Sequence, residues 1–262
     1  MSTTARSDRV TPAVVLVTLV SWLSLWGWDH SAYAPSRHDD GWLGQTAIAH
    51  LCGSVTGSSY AVVVAFHLVA WLLMLSAMML ATTVPLLHVF LRMTHARANR
   101  AQLTALLVAG YFVAWTLFGV VAHLANEALH GLAGRVAWLT LYPWVPGAAI
   151  LATAGVWQLT ALKGRCLDRC RSPTMFIATH WHGSRERQAS FAIGFHHGLY
   201  CIGCCWALML LMFAVGSANL AWMLALAAVM GAEKTQPWGR HVRIPVAVGL
   251  LCWSALIVVE SL

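Results

Sequence analysis

Of the 262 residues, 59% are hydrophobic and only 10% are Asp, Glu, Lys or Arg, whereas a soluble domain carries about a quarter charged residues. That balance excludes a soluble enzyme, a nucleic-acid binder and a disordered scaffold, and it describes an all-α polytopic membrane protein. The net charge of +7 is explained by topology, because the basic residues gather in the segments between apolar stretches.

Seven stretches approach the roughly 20 apolar residues that a bilayer-spanning helix needs. They run approximately over 12–28, 60–91, 103–124, 136–162, 189–216, 218–231 and 244–259. The first follows Arg6 and Arg9, and Ala32-Tyr33-Ala34 after it resembles a signal-peptide cleavage site. Trp22, Trp26 and Trp28 suit an interfacial anchor instead, and the segment is read as a retained helix. Pro85 marks a kink or an end in the long second stretch. The fifth and sixth form a hairpin through Gly216 and Asn219. Of the 16 basic residues, all but Arg37 and Arg135 fall before the first span or between the second and third, fourth and fifth, and sixth and seventh. The N-terminus is therefore expected in the cytoplasm and the C-terminus outside. The chain reads as one helical domain over 1–262, with an extracytoplasmic loop at 29–59 and a basic cytoplasmic loop at 163–188. The expected location is the bacterial cytoplasmic membrane.

Ionisable and sulfur-bearing side chains inside spans are costly, which makes them functional candidates. With 13 His, 7 Cys and 10 Met against 9 carboxylates, the inventory favours soft or borderline metals over magnesium or calcium. Asp29, His30, His38, Asp39, Asp40, His50 and Cys52 collect in the outer loop, where they either capture a cation or serve solubility. On the second span His67, Trp71, Met74 and Met78 share a stripe, with Met79 to one side. Thioethers there are either weak Cu(I) ligands or packing. At the outer end of the third span, His123, Glu127 and His130 stand at i, i+4 and i+7, one face of a helix or a solvated loop. A di-iron site needs a second Glu-x-x-His, and none exists in the chain.

In the basic loop, Cys166 and Cys170 stand in LKGRCLDRCRSP, with His180 and His182 following. Neighbouring Arg and Lys favour thiolates, so this pair reads as a metal hand-off or redox pair, or as two unremarkable free thiols. The densest cluster is HHGLYCIGCCWALMLLM in the fifth span. At about 100° per residue, His197, Cys201, Cys204, Cys205 and Met212 fall within an arc of roughly 100°, with Met209 beside it. Such a face converges on one ion; Cys and Met together suit Cu(I), with zinc or iron as rivals. Buried packing of small thiols is the alternative. There is no Gly-rich phosphate loop, Ser-His-Asp set or zinc-protease HExxH, which argues against nucleotide-driven pumping and simple hydrolysis.

These blocks resemble a bacterial family described as predicted metal-binding integral membrane proteins, some members of which are labelled copper chaperones. The resemblance runs from about Trp71 to Pro237. It rests on Trp71, Met74 and Ala77-Met78-Met79; Gly110-Tyr111, Trp115 and Phe118; Gln158, Lys163, Cys166-Leu167, Cys170-Arg171 and Pro173; His197-Gly198, Cys201, Gly203-Cys204-Cys205-Trp206 and Leu208-Met209; and Asn219, Trp222-Met223 and Glu233-Lys234. The chain departs from the family pattern at Leu80-Ala81, where a proline is usual, and at Ala218, where methionine is usual. The resemblance implies metal binding, with copper foremost.

The leading expectation is a membrane protein that holds copper through His197, Cys201, Cys204 and Cys205, with Met78, Met209 and Met212 as auxiliary ligands. It would deliver the ion to a copper-dependent membrane or extracytoplasmic enzyme. His67, His123, Glu127 and His130 would form an outer site, and Cys166 and Cys170 the inner counterpart. The rival is a membrane oxygenase or oxidoreductase, or a subunit of one, working at the His/Glu group, with haem at His67 and His123 as a variant. A structural subunit whose cysteines only pack is the third reading.

Overall fold

Backbone N–H and C=O groups in lipid must be satisfied within their own segment, and among the described residues every regular element is helical. The computed structural model describes residues 10–30, 60–133, 135–136, 138, 141–142, 144–181, 185–215 and 220–261. The side chains at 29, 60–67, 126–127, 130, 133 and 213–215 stand outside that description. The helices are α1 (Val10–Asp29), α2 (Tyr60–Met78), α3 (Val84–Met93), α4 (Arg100–Ala133), α5 (Val145–Leu159), α6 (Ala161–Arg171), α7 (Pro173–His180), α8 (Glu186–Val215), α9 (Leu220–Thr235) and α10 (Gly239–Ser261).

Four of them contain single runs long and apolar enough to cross a bilayer: Val10–Trp28, Arg100–Ala125, Glu186–Met212 and Gly239–Ser261. Two bent pairs bring the number to six if each pair is one span. Large apolar side chains point outward along these helices, including Leu16, Leu19 and Leu23 on α1, Val121 and Leu124 on α4, and Ile244, Val248 and Val259 on α10. So extensive an apolar exterior suits lipid rather than water. The sixth apolar stretch forms α9, which has 16 residues. At 1.5 Å per residue that is about 24 Å, short of a hydrocarbon core of about 30 Å.

Both bent pairs depart from the continuous spans expected from hydropathy. The 60–91 stretch breaks at Met79, ahead of Pro85, and turns by 56°. A short 3₁₀ segment, Leu80–Thr83, fills the break. Thr82 Oγ1 donates to the Met79 carbonyl and Thr83 Oγ1 to that of Leu80, each at 2.7 Å, so hydroxyls add to the bonding at the break, where the Met79 carbonyl also accepts from Thr82 N at 3.1 Å. Pro85 then sits in the first turn of α3, where its missing N–H costs nothing.

The 136–162 stretch similarly ends at Leu159, because Thr160 is extended (ψ 144°) and the chain turns by 66° into α6. Arg243 of α10 caps this end of α5, with Nε and Nη2 donating to the Gln158 carbonyl at 2.9 and 2.7 Å and Nη2 to that of Thr160 at 2.9 Å. Thr160 Oγ1 in turn accepts from Lys163 N at 3.2 Å and caps α6. The 163–188 segment, expected as a loop, is thus largely the two helices α6 and α7.

Helix α8 is the axis of the bundle, with α4, α5, α6, α7 and α9 packed around it. Its closest neighbour is α4, and glycines make that approach possible. A Cβ at Gly194 would collide with the Leu107 carbonyl, and one at Gly110 would meet Phe191 O and lie 2.9 Å from Phe195 N. Small residues at a helix contact are the usual device of membrane bundles, where dispersion rather than water drives association. Indole N–H groups tie further helices together: Trp22 to Ala77 O (3.0 Å), Trp71 to Trp115 O (3.1 Å) and Trp157 to Gly203 O (3.2 Å).

One end of the bundle gathers the basic segments. Arg97 pairs with Glu186 at 2.6 Å and Arg240 with Asp168 at 2.6 Å. The 92–100 turn, α6 with the start of α8, and the α9–α10 turn therefore share that end. Just inside it lies a buried ion pair, Lys163 Nζ to Glu233 Oε2 at 2.7 Å, with the two side chains 0% and 2% exposed. Gln158 Nε2 donates to the other Glu233 oxygen at 3.1 Å.

Candidate metal centre

The cysteine run lies on the buried face of α8, and Cys201, Cys204 and Cys205 are each 1% exposed. Their helical spacing brings the sulfurs to one side, but their contacts differ. Cys204 and Cys205 donate back to the Cys201 carbonyl at 3.1 and 2.8 Å, the local bond that short polar side chains make to the preceding turn. Cys201 Sγ instead faces other helices. Tyr111 Oη of α4 is 3.3 Å away, and Lys234 Nζ of α9 is 2.8 Å away.

Further sulfurs join from neighbouring elements. Met79, at the break after α2, places Sδ 4.0 Å from Cys205 Sγ. Cys170 of α6 places Sγ 4.0 Å from Cys204 Sγ. The Lys234 ammonium lies among them, 3.3 Å from Met79 Sδ and 3.7 Å from Cys205 Sγ. Cys166 is half-buried one turn before Cys170, and it packs where Gly203 leaves room, since a Cβ there would lie 2.7 Å from its sulfur. The described cysteines are all free thiols.

Such a set of thiols and a thioether is the donor chemistry of Cu(I), which accepts soft ligands and low coordination number. Among the described residues no three His, Cys, Asp or Glu side chains form a ready-made metal cage. The contacts give the reason: two of the α8 thiols turn to a carbonyl, and an ammonium stands beside the third.

The other residues singled out in the sequence are distributed as follows. His197 is 4% exposed and lies one turn before Cys201, with its ring 6.1 Å from that of Tyr111 and 5.8 Å from that of Phe176. Its Nδ1 is buried without a hydrogen-bond partner among the described residues. Met209 and Met212 are buried further along α8, in one core with Met74, Met78, Met223 and Met230. The thioether brought beside Cys205 is that of Met79, whereas Met78 contributes to the packed core. A straight helical projection puts Met78 on the stripe and Met79 beside it, yet both are buried in that core and it is Met79 that meets Cys205.

His123, Glu127 and His130 all fall within α4, which continues to Ala133, so their segment is helix rather than loop. His123 is half-buried there. The side chains of Glu127, His130 and His67 lie outside the described residues, as do His38, Asp39, Asp40, His50, Cys52, His182 and residues 216–219, where a hairpin is expected. Cys166 and Cys170, expected in a separate cytoplasmic loop, instead lie on α6 against the α8 cluster.

Three members of the cluster were not candidates from sequence. The sequence offers Lys234 as a topology charge and as part of a resemblance block, Tyr111 as part of such a block, and Met79 as part of one and off the stripe. Periodicity along one helix cannot disclose what another helix brings to it.

The bundle is thus helical with an internal cluster of thiols and a thioether, donor types that soft metal ions accept. The family model described as PpoB2, copper chaperone, matches residues 68–257, and the chain belongs to that family. No curated relative and no solved structure matches it.

Proposed function

We propose that this chain is an integral membrane copper chaperone of the bacterial cytoplasmic membrane, holding Cu(I) as cargo within the bundle and passing it to a copper-dependent membrane or extracytoplasmic enzyme. The observation that carries this reading is the meeting of Cys201, Cys205 and Met79 around one point, with Cys204 and Cys170 alongside. A buried set of soft donors favours Cu(I) over harder ions. Family membership supports the cargo.

In this reading α9 counts as a crossing, which gives seven and puts the termini on opposite sides. The basic end is cytoplasmic by the positive-inside rule. Cys170 and Cys166, nearest that end, receive the ion, and Cys201 and Cys205 hold it. Met209 and Met212 continue along α8 in the direction of the outer face, as weaker ligands suited to release.

The test is elemental analysis of purified protein in mild detergent, loaded with Cu(I), for the wild type and the C201S/C204S/C205S variant. Near-stoichiometric copper in the wild type and its loss in the variant is the expected result. Copper retained by the triple variant would sink the thiol site.

A further inference from the structure

The Lys234 ammonium is an unusual neighbour for a cation site. Its partners among the described residues are Cys201 Sγ at 2.8 Å, Met79 Sδ at 3.3 Å and Cys205 Sγ at 3.7 Å. The carboxylate next to it in sequence does not neutralise it. Glu233 points to Lys163 at 2.7 Å and to Gln158 at 3.1 Å, so adjacent positions on α9 serve separate partners. A positive charge is thus held at the place where soft donors converge, with no carboxylate paired to it among the described residues.

We infer that Lys234 is a specificity-determining residue, whose fixed positive charge makes the cluster select a monovalent soft cation over a divalent one. This rests on the reading of the cluster as the Cu(I) site. The donors around the ammonium are two cysteines and a thioether. Cysteine binds metal as thiolate. Two thiolates, one Cu(I) and one ammonium sum to zero net charge. The same donors with Zn(II) leave a net charge of +1 among sulfurs no more than 1% exposed, beside a half-buried lysine, and an uncompensated charge in such surroundings is penalised.

Zinc could reach neutrality by recruiting a third thiolate, but Cys204, unlike Cys201 and Cys205, makes no hydrogen bond with the ammonium, and its sulfur lies 4.0 Å from that of Cys170 instead. The thioether of Met79 is also a poor ligand for zinc, which takes thiolate, imidazole and carboxylate. The lysine need not leave when copper arrives. Its long stem lets the ammonium withdraw from direct sulfur contact and remain as counter-ion.

The test is competitive loading of purified protein in detergent, under reducing and anaerobic conditions, with equimolar Cu(I) and Zn(II) salts, followed by counting both metals. Wild type, K234M, K234R and C201S/C204S/C205S are compared. The copper-to-zinc ratio is expected to fall by about 100-fold in K234M. K234R keeps the charge and is expected to keep the wild-type preference, which a merely structural role for the lysine does not predict. Should K234M not purify as a single species, K234Q is read in its place.

A wild-type ratio in the charge-removing variant overturns the inference while leaving the thiol site intact, provided that the triple serine variant loses its metal. Full metal binding in the triple serine variant instead removes the site itself, and the inference about Lys234 with it.

Discussion

Cys201 is distinguished from its two neighbours by what its sulfur faces. Cys204 and Cys205 each spend their S–H on a carbonyl one turn back, whereas Cys201 Sγ looks across to a phenol on α4 and an ammonium on α9. On these contacts Cys201 is a primary ligand and Cys204 stands at the edge, beside Cys170. C201S is therefore expected to lower Cu(I) affinity by on the order of 100-fold, and C204S by about 10-fold, the scale of losing a supporting partner. Titration of each variant against a Cu(I)-specific chelator reads the difference, and equal losses would contradict the ranking. The α8 side of this site was legible from spacing alone, because one helix carries Cys201, Cys204 and Cys205 on one face. Lys234 and Met79 were not, since their positions depend on how α9 and the broken end of α2 dock against α8.

At the scale of elements, α9 is held at its basic end by two adjacent residues with different duties. Lys234 reaches α8, while Glu233 closes a buried ion pair with Lys163 of α6 and takes a hydrogen bond from Gln158 of α5. Arg171 adds a bond from α6 to the Glu233 carbonyl at 2.5 Å. Removing one partner of a buried pair strands the other charge, at about 3–5 kcal/mol, whereas removing both is far milder. K163M is expected to lower stability by about that amount, and K163M/E233Q to recover most of it. Intrinsic tryptophan fluorescence during thermal unfolding in detergent reads this as apparent midpoints, in the order wild type, double variant, single variant. A double variant no better than K163M would mean that the pair contributes nothing beyond its separate side chains. Hydropathy located the apolar stretches but not their breaks at Met79 and Thr160. An average over about 20 residues is blind to one extended threonine and to an arginine from α10 that caps the freed carbonyls.

The molecule as a whole is polarised by charge. Arg97–Glu186 and Arg240–Asp168 tie three basic segments into one end of the bundle, and α1, α4 and α10 turn large apolar side chains outward between their ends. All-helical architecture was legible because the alternative, open backbone in lipid, is too costly. The number of crossings was less so, because the 16 residues of α9 and the bent pairs satisfy a composition test without fixing how deep each passes. Orientation is decided by the side on which that basic end lies, and a single reporter at Arg240 reads it. Arg240 is 61% exposed and pairs, among the described residues, with Asp168, itself 47% exposed; an exposed pair of this kind is worth about 0–1 kcal/mol, so replacing it leaves the fold unharmed. R240C in a C52S/C252S background, which removes the thiol of the 29–59 segment and the exposed thiol on α10, is expected to react with a membrane-impermeant maleimide in inverted inner-membrane vesicles and not in intact spheroplasts. Labelling confined to spheroplasts would reverse the bundle. Cys170 and Cys166 would then lie nearest the outer face, and the direction of copper transfer along α8 would run inward.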